Sequence, residues 1–346
     1  MRRAGVLLTV LLALTVAGSG AATSALDHAD PTWSPDGSRI AYAVEGVKGG
    51  AIETVAADGS DVRRLFAINE NCCGPVLWGA GDRIVYEGNY ELFAAPAAGG
   101  TPKKLFGDTP WFILSPNRET AAVDDGCGCG HVADAIAFVD VRGGEPVVVA
   151  KPKNMTDSID GFSPDGTQLV FSRQRFAPDG GRVPPPALWA VRVGRRTPVP
   201  LARSGLVGAR ALPQGATNVQ WSPDGNWIAF AGAGGLRLVS THGGASRVLA
   251  KVARYQSFSW SPTSKLLAYT TTPGSGRLVT VDLAGHRRIL WPDTSLHYVT
   301  DNSWNRPQWS PDGTKLVFMA LHGAGRPPAA QVWAVGADGT GLTQVG

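Results

Sequence analysis

The chain is predicted to be an all-β, seven-bladed β-propeller with four antiparallel strands per blade, and three observations carry that prediction. A phrase of an aromatic or large apolar residue followed by Ser-Pro-Asp-Gly, intact or worn, occurs seven times. The copies from Trp33 to Trp309 span 276 residues in six steps, a period of about 46 that belongs to propellers or solenoids. A second marker, a Gly-containing turn after another apolar run, follows each copy in fixed order. An irregular β-sandwich has no reason to keep two markers in step.

The seven copies are Trp33-Ser34-Pro35-Asp36-Gly37, Trp78-Gly79-Ala80-Gly81, Leu114-Ser115-Pro116-Asn117, Phe162-Ser163-Pro164-Asp165-Gly166, Trp221-Ser222-Pro223-Asp224-Gly225, Trp260-Ser261-Pro262-Thr263-Ser264 and Trp309-Ser310-Pro311-Asp312-Gly313. Each reads as a hairpin turn. Proline presets φ for the second position of a type I turn, aspartate suits the third, and glycine takes the left-handed residue that follows. The strand after the turn alternates apolar positions, as in Ile40-Ala41-Tyr42 and Leu316-Val317-Phe318. An aromatic falls nine residues after the anchor in five copies (Tyr42, Phe171, Phe230, Tyr269, Phe318), and Tyr86 stands one residue early after its shortened turn.

The second turns are Asp58-Gly59, Gly99-Gly100, Gly143-Gly144, Gly194, Gly243-Gly244, Gly285 and Asp338-Gly339. The short strand after them often opens with cations, as in Arg63-Arg64, Lys103-Lys104 and Arg287-Arg288. Each unit thus holds strands A to D, with the anchor closing A. Strand D is the outer edge of its blade, where lysine and arginine discourage pairing between molecules. These cations are therefore read as edge protection rather than as a nucleic-acid stripe.

Residues 1–25 read as a signal peptide. Arg2 and Arg3 precede an apolar run from Gly5 to Val16, and small residues continue to Ala25. The run is short for a membrane span, Ala21, Ala22 or Ala25 would be the last residue removed, and an uncleaved anchor is the alternative. Residues 26–346 form the propeller. The expected location is secreted or periplasmic, with no stable membrane span after removal of the signal. A net charge of +4 over 346 residues does not call for a polyanion, and nucleic acid is not expected as a partner.

Four cysteines, Cys72, Cys73, Cys127 and Cys129, lie in loops that would emerge on one face of adjacent blades. In an exported chain they are expected as disulfides, with three connectivities open. A zinc or copper site with His131 is the alternative.

In a four-stranded blade the A–B and C–D turns share one face, and the B–C loops and D–A links share the other. The long segments, 124–134, 173–186, 202–217, 291–307 and 320–328, all map to the second face. Recognition usually resides on long loops of a rigid scaffold. The candidate ligand-binding residues there are Arg175, Arg182, Arg210, His297, Trp304, Arg306, His322 and Arg326. Arginine offers a planar fork for carboxylate or phosphate, and tryptophan a flat apolar surface. Acidic residues on the same face, Asp124 and Asp301 among them, offset part of that charge. No nucleophile elbow, P-loop, His-Glu-x-x-His or dinucleotide fingerprint is present, so no catalytic residue, metal or cofactor is assigned.

The Trp-Ser-Pro-Asp-Gly phrase followed by an Ile-Ala-Tyr or Leu-Val-Phe strand resembles the TolB-type (PD40, WD40-like) propeller repeat. That repeat recurs in TolB and in the propellers of prolyl oligopeptidase and dipeptidyl peptidase IV relatives. The resemblance covers residues 30–346, strongest in units 1, 4, 5 and 7, and it implies fold rather than function. The peptidases carry a hydrolase domain with a catalytic serine that has no counterpart here, so peptidase activity is not expected. TolB has an α/β domain ahead of six blades, which also differs. Together these readings imply an exported, monomeric binding module for a protein or envelope component. The alternatives are a metal-dependent uronate lyase using His131, His297 and His322, and a scaffold without a dedicated ligand.

Overall fold

The Ser-Pro-Asp-Gly phrase folds as a closed polar knot. In the first copy the Gly37 amide donates to the Ser34 carbonyl at 2.9 Å, closing the turn, with Gly37 at φ +72°. The Ser34 hydroxyl donates to Asp36 at 2.6 Å and accepts from the Arg39 amide at 2.9 Å. The same pair of bonds recurs at Ser163, Ser222 and Ser310, and with Asn117 in place of aspartate at Ser115. These serines are buried, so the motif serine serves the turn and the start of strand B together.

The computed structural model describes residues 27–45, 49–68, 75–107, 111–124, 135–175, 185–206, 208, 210, 212–213, 216–251, 258–271, 277–290, 297–298, 306–322 and 329–345. Residues 1–26, where a signal peptide is expected, all four cysteines, His131, Arg182, Trp304 and Arg326 lie outside them.

Seven antiparallel sheets follow one another along the chain, each with neighbouring strands in sequence order. Blade 1 comprises β1 (Asp27–Trp33), β2 (Arg39–Glu45), β3 (Gly50–Ala56) and β4 (Arg63–Ile68). Blade 2 comprises β5 (Val76–Gly79), β6 (Arg83–Gly88), β7 (Glu91–Pro96) and β8 (Lys103–Phe106). Blade 3 comprises β9 (Trp111–Leu114), β10 (Thr120–Asp124), β11 (Ile136–Asp140) and β12 (Val147–Val148). Blade 4 comprises β13 (Met155–Phe162), β14 (Gln168–Arg175), β15 (Ala187–Arg192) and β16 (Val199–Pro200). Blade 5 comprises β17 (Thr217–Trp221), β18 (Trp227–Gly232), β19 (Gly235–Ser240) and β20 (Arg247–Ala250). Blade 6 comprises β21 (Phe258–Trp260), β22 (Leu266–Thr270), β23 (Leu278–Asp282) and β24 (Arg287–Ile289).

Blade 7 departs from the others. Its A position is split between β25 (His297–Tyr298) and β26 (Gln308–Trp309), both paired to β27 (Lys315–His322), before β28 (Ala329–Gly336) and β29 (Thr343–Gln344).

The core lies in the wedges between blades. The strand-B aromatics Tyr42, Phe171, Phe230, Tyr269 and Phe318 are all essentially solvent-free. Apolar clusters bridge successive blades, as Trp221, Ile228 and Phe230 do with Val170 and Ala190. Each such side chain contributes about 1.5–3 kcal/mol by burial. The edge cations Arg63, Arg64, Lys103, Lys104, Arg287 and Arg288 are exposed on the outer strands, as expected.

Among the described residues the ring closes without exchanging a strand. Trp33, Ile40 and Tyr42 of blade 1 pack on Val317, Val332 and Val345 of blade 7. The Trp33 indole N–H donates to the Gln308 carbonyl at 3.2 Å. A Cβ added at Gly37 would lie 3.4 Å from Pro311, the proline-on-glycine stacking that Pro116 and Gly166 repeat elsewhere in the ring.

One long segment does not follow the expected face. The link from blade 4 to blade 5 turns back along the wedge, with Leu201 in the core and Leu206 and Leu212 packed against it. A Cβ at Gly208 would lie 2.7 Å from Thr241 Cα, at the end of blade 5 that carries the A–B and C–D turns. Apolar leucines within the link draw it into the gap left by the two-residue β16.

Candidate functional site

The inner ends of the A strands line the channel, and two features distinguish its mouth on the face of the B–C loops and D–A links. The first is a buried ion pair. Arg173, near the end of β14, donates from Nε and Nη2 to the two carboxylate oxygens of Asp157 on β13, each at 2.7 Å. Nη2 also reaches the Ala150 carbonyl at 3.1 Å. The guanidinium lies between the rings of Phe171 and Trp189, 5.2 and 5.0 Å from their centroids. Arg173 begins a segment expected to be a free loop. It is instead fully engaged, and its role is to hold the hairpin.

The second feature is Arg306, which stands three residues before its anchor Trp309, as Trp111 stands three before Leu114. Equal position in the repeat puts the two at similar height on roughly opposite walls, blade 7 and blade 3. The Arg306 side chain crosses to bring its Cζ 5.8 Å from the Trp111 ring centroid. Its Nε is buried without a hydrogen-bond partner among the described residues. Burial pushes the guanidinium pKa down to about 10, with Asp160 opposing that shift.

Asp160 occupies a bulge in β13, two residues before the anchor Phe162. It is 4% exposed. The other residues two before an anchor are Pro31, Val76, Phe112, Val219, Phe258 and Pro307, and all are buried. An acid thus stands in an otherwise apolar column. Its oxygens accept from the Ser172 hydroxyl at 2.6 Å and from the Val219 amide of the next blade at 3.2 Å. Burial raises its pKa to about 6, against those bonds, the Asn218 amide and the positive charge of Arg306. The blades meet so closely here that a Cβ on Gly161 would fall 2.7 Å from the Val219 carbonyl.

The other candidates fall in different places. Arg175 is exposed at the end of β14, opposite Met155, on the mouth face. His297 pairs with Leu321 in the backbone ladder, so His297 and His322 lie one register position apart at the mouth end of blade 7, on opposite faces of the sheet. Arg210 is exposed on the inward-turning link, near Gly208 rather than with Arg306. Trp111, Asp157 and Asp160 were not singled out from the sequence. Aligning the seven copies by column, rather than reading loops by length, exposes the last of them.

No family model and no curated protein matches this sequence. Solved structures do match it. A puromycin-hydrolyzing peptidase from Mycobacterium tuberculosis aligns over 92% of this chain with TM-score 0.61 and 13% identity, and the chain spans about half (53%) of that protein. The β-propeller domain of the Trilobed protease from Pyrococcus furiosus, described as having an open velcro topology, aligns over 93% of this chain and 98% of that one, with TM-score 0.61 and 11% identity. A TolB from Agrobacterium tumefaciens is also among the matches, at 18% identity and TM-score 0.41 over 83% of this chain and 84% of that one. At these identities the likeness is one of architecture, and the chain is a seven-bladed β-propeller of the kind its TolB-like repeats predict.

Proposed function

We propose that this chain is an exported binding module that takes a protein or envelope-component partner on the face of the B–C loops and D–A links, centred on the channel mouth. The observation that carries the reading is a contrast between the two faces. On the underside the repeated turns bond their serine and aspartate groups internally. On the other face the Arg306 Nε is buried without a hydrogen-bond partner among the described residues, and Arg175 is exposed at the end of β14. The apolar run behind Arg2 and Arg3 supports export.

Affinity capture from the native envelope tests this with two double variants. Arg175→Ala/Arg306→Ala is expected to lose the partner, and the underside control Arg195→Ala/Arg196→Ala to keep it. Equal retention by both would remove the face from consideration.

A further inference from the structure

Arg306 is half-buried, with its Nε fully enclosed and without a hydrogen-bond partner among the described residues, whereas a charged group taken out of water is usually paired. Its backbone is held rigidly. The Ser259 hydroxyl donates to the Pro307 carbonyl, and the Trp33 and Trp309 indoles tie the carbonyls of Gln308 and Ser259. The side chain is therefore launched across the channel from a fixed point rather than swept there by a mobile loop. Asp160 is the carboxylate whose charge it feels, but that group is committed to Ser172 and to the amide of Val219. Arg173, the other channel-side arginine described, already has its acid. The Trp111 ring takes the contact expected of a cation over an aromatic ring, which leaves N–H donors in the guanidinium plane for an incoming acceptor.

We propose that the channel mouth binds the carboxylate at the end of a polypeptide chain, with Arg306 gripping the carboxylate and Trp111 covering the apolar side chain next to it. The inference rests on the binding-face reading above and names the group recognised there. Bidentate carboxylate geometry matches the guanidinium fork. A channel that one arginine side chain spans admits a chain end, whereas a folded surface is excluded by its width. The ring beside the fork gives the terminal side chain an apolar neighbour.

Ligand-observed NMR titration of the full mature chain with N-acetyl-leucine and with N-acetyl-leucinamide tests the proposal, since the two differ at the carboxylate. N-acetyl-leucine is expected to bind and the amide to bind at least tenfold more weakly. Arg306→Gln should abolish the difference. Arg306→Lys, which keeps the charge, should lower affinity several-fold with the thermal midpoint unchanged, so that misfolding is not the cause. Trp111→Ala should weaken N-acetyl-leucine more than acetate. Equal binding of acid and amide, or an Arg306→Gln protein that binds like wild type, overturns the proposal. Tighter binding of galacturonate or inorganic phosphate than of N-acetyl-leucine overturns it too, by assigning the site to another anion. A partner still captured by the mouth face while N-acetyl-leucine fails to bind would sink this inference and leave the binding face standing.

Discussion

Asp160 and Asp36 show one residue type driven in opposite directions by position alone. Asp36 sits in an open turn, where the Ser34 hydroxyl first, and then the Ser38 amide and hydroxyl, hold its pKa down to about 2. Asp160 sits in the wedge between blades, where lost hydration outweighs three donors and raises its pKa to about 6. The signs follow from linkage. Asp36 adds stability above the ordinary carboxylate value that is lost as pH falls toward 2. Asp160 favours the folded state fully below about 3.8, and that contribution is lost as pH rises through about 6. Wild type is therefore expected to be less stable to urea at pH 7.5 than at pH 5, by roughly 1 kcal/mol on this group's account. Asp160→Asn should abolish most of that difference, and an unchanged pH profile in the variant would refute the assignment.

At the scale of the element, the A–B turn explains why the repeat keeps a serine that turn propensity alone does not demand. Ser222 is fully buried, donates to Asp224 at 2.5 Å and accepts from the Trp227 amide at 3.0 Å. Ser222→Ala strands a buried amide and should cost about 1–3 kcal/mol, read as a shift in the denaturant midpoint. The worn copies show the same logic by substitution. Asn117 accepts the serine proton in blade 3, and Arg118 and Ser264 adopt the left-handed φ that glycine takes elsewhere. In blade 2 Asp82 accepts from the Trp78 indole at 2.8 Å in place of the missing serine. The turn was legible because its residues act within six positions. The inward path of the 4-to-5 link was not, because it depends on how much wedge the short β16 leaves open.

Across the whole molecule, closure is the feature that sets stability. Among the described residues, blades 1 and 7 meet through side chains and the Trp33 indole hydrogen bond, with no shared sheet. Stability in such a ring is close to a sum of blade and interface terms, and this seam joins the two chain ends. Hydrogen exchange is expected to release β1 and β28 before β22, and Trp33→Ala, which cuts the seam cluster, to widen that gap while costing about 3–5 kcal/mol. Uniform protection around the ring would show the seam to be as strong as the rest.

By itself the sequence determined the number of blades, their strands and the protected outer edges, because these follow from a local period and from turn chemistry read within a few residues. It also named Arg306 among the candidate ligand-binding residues. Only the tertiary structure decided that Arg306 reaches Trp111, that Arg173 is consumed by Asp157, and that Asp160 lies where water does not reach. Those outcomes depend on which blades face one another across the channel. Distance across a closed ring is set by the packing of all seven wedges together, and no segment of the chain encodes it alone.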